Sequence, residues 1–269
     1  MANYYIQKIK PSAFNIKKLG KAKKSTIEKN AFNLDYFGGN PMFTVCNLAT
    51  EGKIIAETRN LVGSKTFNKP QTTLLVFDDG TAKMETTNNL KKYSNLRCAI
   101  GGVPFMINGK EVSLSKDIKT QGWSGGNFYK TWHSFLTVQN GEIWYIGAYT
   151  GHSNDVTATT VIWKFLKSIG CTGTVIKLDG GGSFIFKKSG KIVEATDENR
   201  VINYIGTWED DPILKLITTK ILLNGKEKEV EAVVVDNQNF IKLRDLADEY
   251  IKIDYDATKK LPVVKVANK

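Results

Sequence analysis

Three Asp-Gly or Asn-Gly dipeptides, each set between two apolar runs, constrain the fold of this chain more than any other feature of its sequence. They lie in the segments TLLVFDDGTAKME (73–85), VPFMINGKEV (103–112) and FLTVQNGEIWYIGAYTG (135–151). Such a pair is the strongest short-range signal for a β-hairpin, because its residues tolerate the positive φ angles of a tight turn. Residues 31 to about 210 are therefore predicted to be rich in antiparallel strands.

One helix is predicted among these strands, over residues 157–169. Its apolar residues follow the i, i+3, i+4, i+7 spacing of a helix with one buried face. Asp155 or Thr157 can cap its start, and Gly170 can end it in the left-handed conformation. The fold class expected for this part is α+β, a sheet-rich domain of the catalytic type with few helices.

The segment DGGGS (179–183) lies between a buried strand predicted over 174–178 and a hairpin predicted over 184–195. Three consecutive glycines at that point let the backbone approach a ligand closely and direct N–H groups into a concavity. Asp179 would then lie at the rim of the concavity, as a candidate catalytic or binding carboxylate. A glycine-rich turn without a ligand is the alternative.

A second, smaller domain is predicted after the polar segment WEDDP (208–212), which contains a proline and has the composition of a linker. The boundary gives one domain over 1–212 and another over 213–269. The smaller one has a ββαββ pattern, with a hairpin at 220–235, a short amphipathic helix at 239–251 and a hairpin at 252–266.

Composition excludes several classes of protein. No apolar run approaches the roughly 18–20 residues that span a bilayer, and the first residues hold no stretch of signal-peptide type. The three cysteines are widely spaced, which predicts buried thiols and no disulfide framework. The sequence contains two histidines, no HExxH, no P-loop and no early GxGxxG, and no nucleophile elbow of the GxSxG type is expected. No metal site and no cofactor are therefore expected.

The net charge of +11 is concentrated at the start of the chain. Residues 1–30 hold eight lysines and one glutamate, a charge of +7, which leaves +4 for the rest. Such a segment is either a solvated edge, which we favour, or a contact with an anionic polymer or membrane surface. Only four of the 38 basic residues are arginine, which disfavours nucleic acid as a partner because phosphate and base recognition rely on arginine.

The motif LDGGGS (178–183), in its context of helix, strand and hairpin, resembles the core of the phosphodiester glycosidase family. The animal member of this family removes N-acetylglucosamine from a phosphodiester. The resemblance covers about residues 30–208, and only LDGGGS is specific. Weaker matches are NLDYF (33–37), with Asn33, Tyr36 and Phe37 matching and Asp35 in place of glycine, CAIGGVPFMINGK (98–110), and ENRVINYIG (198–206), with Arg200 and Asn203 matching.

The resemblance implies roles for nine residues, most of which also have a purely structural alternative. Asp179 would stabilise an oxocarbenium-like transition state, act as the nucleophile or activate water. His152 would act as a general acid or bind phosphate. The substrate-binding set is Asn33, His133, Gly180, Gly181, Gly182, Ser183 and Arg200. His133 stands near a position where the family usually has arginine. A surface ion pair for Arg200 and a turn role for Asn33 are the alternatives.

Residues 224–250 resemble the small domain called copper amine oxidase N-terminal-like, which recurs in bacterial extracellular and wall-associated proteins. The matching core runs from Asn239 to Ala247 and includes Arg244 and Asp245. That domain is not a copper site, and no copper ligand set is visible in this sequence. The resemblance implies a module for attachment to the cell wall.

The sequence therefore predicts a hydrolase of glycosyl phosphodiester bonds that acts on a bacterial surface polymer. Its partners would be a sugar-phosphate polymer and the anionic cell wall, with no nucleic acid and no membrane span. The lack of an export signal suggests a phage-encoded, endolysin-like enzyme. It would be cytoplasmic in the producing cell and released to the wall by lysis, or extracellular if a leader was removed. The alternative is a non-catalytic binding protein for a sugar phosphate or a nucleotide-like ligand.

Overall fold

The computed structural model describes most of the chain. The described residues are 3–20, 22–27, 30–34, 37–38, 43–44, 46–57, 69–113, 117–121, 131–152, 155–197, 200–210, 215–223, 226–235, 238–241, 251–256 and 261–266. The chain divides into two compact units, Met1–Glu209 and Asp210–Lys269. Each unit is described by itself below.

Strands dominate the described part of the first unit. In chain order they are β1 (Asn3–Ile9), β2 (Phe14–Lys18), β3 (Asn30–Asn33), β4 (Phe37–Gly38), β5 (Phe43–Thr44), β6 (Leu48–Thr50), β7 (Lys53–Ala56), β8 (Gln71–Phe77), β9 (Ala82–Thr87), β10 (Leu96–Gly101), β11 (Val103–Ile107), β12 (Lys110–Glu111), β13 (Trp132–Gln139), β14 (Glu142–Tyr149), β15 (Val175–Lys177), β16 (Ile185–Lys188), β17 (Lys191–Ala195) and β18 (Tyr204–Trp208). The helices are α1 (Asp117–Thr120) and α2 (Asp155–Ser168), with 3-10 turns at Pro11–Ala13, Lys24–Thr26, Leu90–Lys92 and Gly181–Ser183.

These strands form three main sheets. The six-stranded sheet has the order β1-β14-β13-β15-β11-β12. The β8 sheet has the order β7-β6-β10-β8-β9, and the β3 sheet has the order β17-β16-β3-β18-β2. Strands β4 and β5 form a separate short hairpin. Every described strand pairing is antiparallel.

The hairpins predicted from Asp-Gly and Asn-Gly pairs are confirmed. At the β13–β14 turn, Asn140 and Gly141 have φ angles of 53° and 78°, and the β11–β12 turn has the same two-residue form. Two consecutive positive φ angles match the right-handed twist of the flanking strands, which is why this turn type joins them. The hairpin predicted to turn at Ser189 and Gly190 is also present, between β16 and β17.

The predicted helix is α2, which begins at Asp155 and ends at Ser168. Gly170 follows it with a φ of +75°, as predicted for a residue that ends a helix in the left-handed conformation. The apolar face of α2 covers one face of the six-stranded sheet. Ala158, Ile162 and Leu166 pack there against a cluster that includes Phe135.

The other face of the six-stranded sheet packs against both five-stranded sheets. Its residues Leu136, Tyr145 and Ile176 belong to one core cluster with buried residues of the β8 and β3 sheets. The rings of Phe32 and Tyr145 stack at 4.0 Å between centroids across this interface. Burying a large apolar side chain contributes about 1.5–3 kcal/mol, so this central layer is the main source of stability.

The prediction of an α+β class is wrong, because the described part of the chain is mostly β. Among the described residues, α2 is the one helix longer than a single turn. The prediction relied on the clear helical period of residues 157–169, but that helix is a small part of the fold. The short hairpin-connected strands fill three sheets, and the helix only covers one face of one of them.

The basic start of the chain is part of these sheets. Strand β1 pairs with β14 along its whole length, and β2 pairs with β18 in the β3 sheet. Most described lysines of this segment are exposed, but Lys24 is fully buried. The expectation of a solvated edge is therefore wrong for Lys24, because its ammonium group has acceptors inside the protein.

The second unit also consists of strands in its described residues. They are β19 (Lys215–Leu223), β20 (Lys226–Val235), β21 (Gln238–Ile241), β22 (Ile251–Asp256) and β23 (Leu261–Val266), arranged as β19-β20-β21 and β22-β23. The first predicted hairpin is present and starts earlier, at Lys215. The predicted helix at 239–251 is wrong at its start, because Asn239–Ile241 pair with β20. Residues 242–250 lie outside the described part.

Candidate functional site

The segment DGGGS connects two sheets. Strand β15 of the six-stranded sheet ends at Lys177, and β16 of the β3 sheet begins at Ile185. We call residues 179–183 the glycine loop. Its second half is a 3-10 turn in which the N–H of Ser183 donates to the carbonyl oxygen of Gly180 at 3.1 Å. The loop therefore has a defined conformation at the junction of the two sheets.

Each of the three glycines has its own steric or conformational reason. A Cβ on Gly180 would lie 2.6 Å from the carbonyl oxygen of Trp132 in β13, closer than real Cβ contacts. Gly181 has a φ of +57°, which favours glycine. A Cβ on Gly182 would collide with the guanidinium of Arg200. Close backbone packing and a positive φ angle therefore require glycine at 180 and 181, whereas at 182 an added Cβ would only displace the Arg200 side chain.

The backbone of Asp179 is held on both sides. Its N–H donates to the carbonyl of Leu34 at 3.3 Å, and its own carbonyl accepts from the side-chain amide of Asn33 at 2.6 Å. The carboxylate Oδ1 accepts from the N–H of Gly180 at 2.8 Å. Asp179 is half-buried. This geometry fixes one carboxylate oxygen and leaves the other with accepting capacity, as a catalytic carboxylate needs.

Asn33 lies beneath Asp179, with 1% of its surface exposed. Its Oδ1 accepts from the Ser134 hydroxyl at 3.0 Å and from the Ile185 N–H at 3.2 Å. The Ser134 hydroxyl also lies 3.3 Å from the hydroxyl of Tyr145, whose pKa is raised by burial, so the phenol stays neutral. The structure therefore places Asn33 in a buried network that supports Asp179, rather than at the surface of the loop.

Lys24 supports the other end of the glycine loop, and sequence reasoning missed it. Its Nζ donates to the carbonyls of Gly182 and Phe184, each at 2.9 Å. The residue is completely buried, although it belongs to the basic start of the chain. No sequence signal distinguishes it from the neighbouring lysines, because its contacts are about 160 residues away in the chain.

Arg200 and Ser183 differ in exposure. Arg200 is exposed, and its guanidinium packs against Gly182. Ser183 is 1% exposed, and its Oγ has no hydrogen-bond partner among the described residues. A ligand at the surface of the loop would meet Arg200 directly and could reach the Ser183 hydroxyl only after the loop moved.

The N–H groups of the loop are used unequally. That of Gly180 donates to the Asp179 carboxylate, and that of Ser183 donates within the turn. In the described chain, the N–H groups of Gly181 and Gly182 donate to no acceptor. These two groups, together with Arg200, are the donors that an anionic ligand could engage.

The two histidines differ in environment. His133 lies on β13 with 1% of its surface exposed, and strand alternation places it on the face of Phe135, which packs toward α2. His152 is exposed, between the end of β14 and the start of α2. Tyr149 at the end of β14 pairs with Trp132 at the start of β13, and Gly180 of the glycine loop packs against Trp132. These strand ends and the loop therefore lie at the same end of the sheet. His152 follows this end of β14 by three residues, whereas His133 is internal.

Two cavities lined by described residues lie elsewhere. One, of about 190 Å³, is lined by residues that include Ser12, Arg97 and Trp208. The other, of about 360 Å³, includes Tyr93 and lies in the β8 sheet region. No cluster of three or more His, Cys, Asp or Glu side chains is found in the described residues. No helix there is long and apolar enough to cross a membrane.

No family model matches the chain, and no curated protein matches its sequence. Solved structures resemble it. The catalytic domain of zebrafish N-acetylglucosamine-1-phosphodiester α-N-acetylglucosaminidase, auto-inhibited by its pro-peptide, is 13% identical with a TM-score of 0.55, covering 78% of this chain and 83% of that one. A hypothetical protein from Synechocystis is 12% identical with a TM-score of 0.46, covering 77% and 59%. The first likeness supports a distant fold relationship with a hydrolase.

Proposed function

We propose that this protein hydrolyses a glycosyl phosphodiester of the N-acetylglucosamine-1-phosphodiester type. The observation that carries the proposal is a carboxylate and a cation at the two ends of one short loop. Asp179 has its backbone fixed by Asn33 and Leu34, and Arg200 packs against Gly182. Cleavage of a sugar phosphodiester uses both groups: the carboxylate acts at the sugar carbon, and the cation binds the phosphate.

Asp179 is the catalytic carboxylate in this proposal. Cleavage of a glycosidic bond passes through an oxocarbenium-like transition state, which a carboxylate stabilises, attacks or supplies with an activated water. A phosphodiester is already a good leaving group, so the reaction needs less help from an acid than an ordinary glycoside. The half-buried position of Asp179 suits this role, because a carboxylate near the surface can meet the substrate while its backbone stays fixed.

The phosphate is bound by Arg200 and by the N–H groups of Gly181 and Gly182. A guanidinium can donate two parallel hydrogen bonds to phosphate oxygens. The two N–H groups have no other acceptor in the described chain. His152, exposed at the same edge, binds the phosphate or protonates it on departure. Gly180 and Ser183 shape the loop in this proposal, and His133 is structural.

The substrate is proposed to be a bacterial surface polymer, with the second unit as a wall-association module. Support for this part comes from the net charge of +11, which suits an anionic wall, and from the resemblance at 224–250. Release of the enzyme by phage lysis remains part of the same proposal. Sedimentation of the full chain with purified, teichoic-acid-containing walls tests it. Equal binding to walls stripped of teichoic acid would contradict it.

The test of the activity is release of free sugar from an α-N-acetylglucosaminyl-1-phosphodiester and from purified teichoic acid. Asp179→Asn should lower kcat by about 10²–10⁴-fold, because it removes the reacting carboxylate and keeps its shape. Asp78→Asn, at an exposed carboxylate in the β8–β9 turn, is the matched control and should not change kcat. Equal rates for the wild type and Asp179→Asn would exclude Asp179 from the chemistry.

A second function is a non-catalytic binding protein for a sugar phosphate. The observation that favours it is the burial of His133, which stands near the position of an arginine in the family that the sequence resembles. The site then has one cation fewer at its surface than that family. Calorimetry distinguishes the two functions. Tight binding of N-acetylglucosamine 1-phosphate without any release of sugar from the diesters would favour the binding protein.

A further inference from the structure

Lys24 contacts both parts of the proposed phosphate site. Its ammonium group donates to the carbonyls of Gly182 and Phe184, and its main-chain N–H donates to the carbonyl of Arg200 at 3.4 Å. Arg200 in turn packs its guanidinium against Gly182. One residue thus links the backbone of the glycine loop with the backbone of the arginine that covers it.

The burial of Lys24 makes this contact strong. The side chain is 0% exposed, so its hydrogen bonds to carbonyl oxygens form away from water. Burying an ammonium group is costly unless its donors are satisfied, and hydrogen bonds to a charged group contribute more than neutral ones. In its protonated form the side chain also places a positive charge close to the loop.

We propose that Lys24 is a positioning residue that holds the glycine loop in its anion-binding conformation and raises its affinity for phosphate. The inference rests on the proposed function, because it assigns the phosphate part of that site. Lys24 does not touch the substrate. Its bonds to the carbonyls of Gly182 and Phe184 fix the peptide groups that follow the N–H groups of Gly181 and Gly182, which limits rotation of the loop at Gly182. Its charge attracts the anion through a medium of low dielectric constant.

The two effects can be separated by two substitutions at the same position. Lys24→Met keeps most of the volume and removes both the donors and the charge. Lys24→Gln keeps two N–H donors, on a side chain one bond shorter and with an added carbonyl oxygen, and removes the charge. The matched control is Asn47→Ala in the β8 sheet. Asn47 is equally buried and donates to Thr73 and Thr87, so its loss costs stability in another sheet.

The experiment measures binding of inorganic phosphate by calorimetry, and kcat and KM for the N-acetylglucosaminyl phosphodiester, on folded full-length variants. Lys24→Met should weaken phosphate binding by about tenfold or more and lower kcat, since two charge-assisted hydrogen bonds are lost. Lys24→Gln should regain part of kcat and little of the phosphate affinity. The phosphate affinity and the kcat of Asn47→Ala should each stay within about twofold of the wild-type values.

The outcomes distinguish failure of this inference from failure of the proposed function. If the wild type releases sugar and Lys24→Met binds phosphate and turns over normally, Lys24 has no positioning role. The same holds if Asn47→Ala loses as much as Lys24→Met. If the wild type releases no sugar but phosphate binding depends on Lys24, the proposed hydrolysis is wrong and the role in anion binding stands. Should Lys24→Met fail to fold, Lys24→Gln carries the test through its phosphate affinity.

Discussion

The side-chain amide of Asn33 donates to the carbonyl oxygen of Asp179 at 2.6 Å, across 146 positions of the chain. Asn33 ends β3, and Asp179 lies two residues after the end of β15 in a different sheet, so this bond fixes the proposed catalytic residue relative to both sheets. Because Asn33 is buried, the bond is shielded from competing water. The position of the Asp179 carboxylate is thus determined by the core.

Asn33→Ala should lower both stability and activity. It leaves the Ser134 hydroxyl, the Ile185 N–H and the Asp179 carbonyl without this partner, at a cost on the order of 3 kcal/mol. Urea denaturation and kcat measure the two effects. Asn15→Ala is the control, because the side chain of Asn15 accepts only from its neighbour Ile16 in a half-buried place. A loss of stability without a loss of kcat would mean that Asn33 does not position Asp179.

Gly180→Ala should destabilise the protein, because the added Cβ would lie 2.6 Å from the carbonyl oxygen of Trp132, which belongs to a paired strand. A misfit of this kind costs about 1–3 kcal/mol. Gly151→Ala is the matched control, since a Cβ there meets no atom within 4 Å, and its effect should stay within about 1 kcal/mol. Thermal unfolding compares the pair. Equal melting temperatures would show that the loop moves away from β13 without cost.

Gly182→Ala should affect the ligand rather than the fold. The added methyl group collides with the guanidinium of Arg200, and an exposed side chain can move away at little cost. The displaced cation should raise KM with little change in melting temperature. A double-mutant cycle with Arg200→Met is the control, because Gly182→Ala should add little once the guanidinium is gone. Additive effects on KM would show that Gly182 acts independently of Arg200.

Glu85 should make a contribution to stability that disappears in acid. The ammonium groups of Lys83 and Lys92, each 2.8 Å from a carboxylate oxygen of Glu85, lower the pKa of its carboxyl from 4.5 to about 2. A depressed pKa stabilises the folded state above the unfolded value, and this contribution is lost as the pH falls from about 4.5 through about 2. Glu85→Gln should therefore unfold at lower urea than the wild type at pH 7.

The difference in urea midpoint between the wild type and Glu85→Gln should shrink as the pH approaches 2. It should be small even at pH 7, since the side chain is 33% exposed and solvent screens the pair. The urea midpoints of both proteins at several pH values measure it. A difference that stays constant from pH 7 to pH 2 would show that the carboxylate pairing does not stabilise the fold.

Local signals in the sequence predicted most elements of the first unit. The turn at Asn140 and Gly141, the helix ended by Gly170 and the strand before Asp179 each depend on residues within a few positions of one another. The position of the glycine loop between a strand and a hairpin followed from these elements. The order of the strands within the three sheets did not, because that order depends on pairing between distant segments.

The supports of the site could not be predicted for the same reason. Lys24 is one of two adjacent lysines, and only the folded chain shows that it is the buried one while Lys23 is exposed. Asn33 was identified by its motif, but its burial depends on the packing of β3 against the six-stranded sheet. Histidine is a residue type common in functional sites, but the position of His133 on β13 buries its side chain in the protein interior.

The pairing of β2 with β18 has a consequence for how the chain reaches its native state. Lys18 lies opposite Tyr204, near the end of the first unit, and β1 pairs with β14 about 140 residues later, so both early strands need distant partners. Contacts between such distant segments must overcome a large loss of chain entropy before they form. Folding of this unit should therefore be slow compared with that of a helical protein of similar length, and it can finish only after residue 208 has been synthesised.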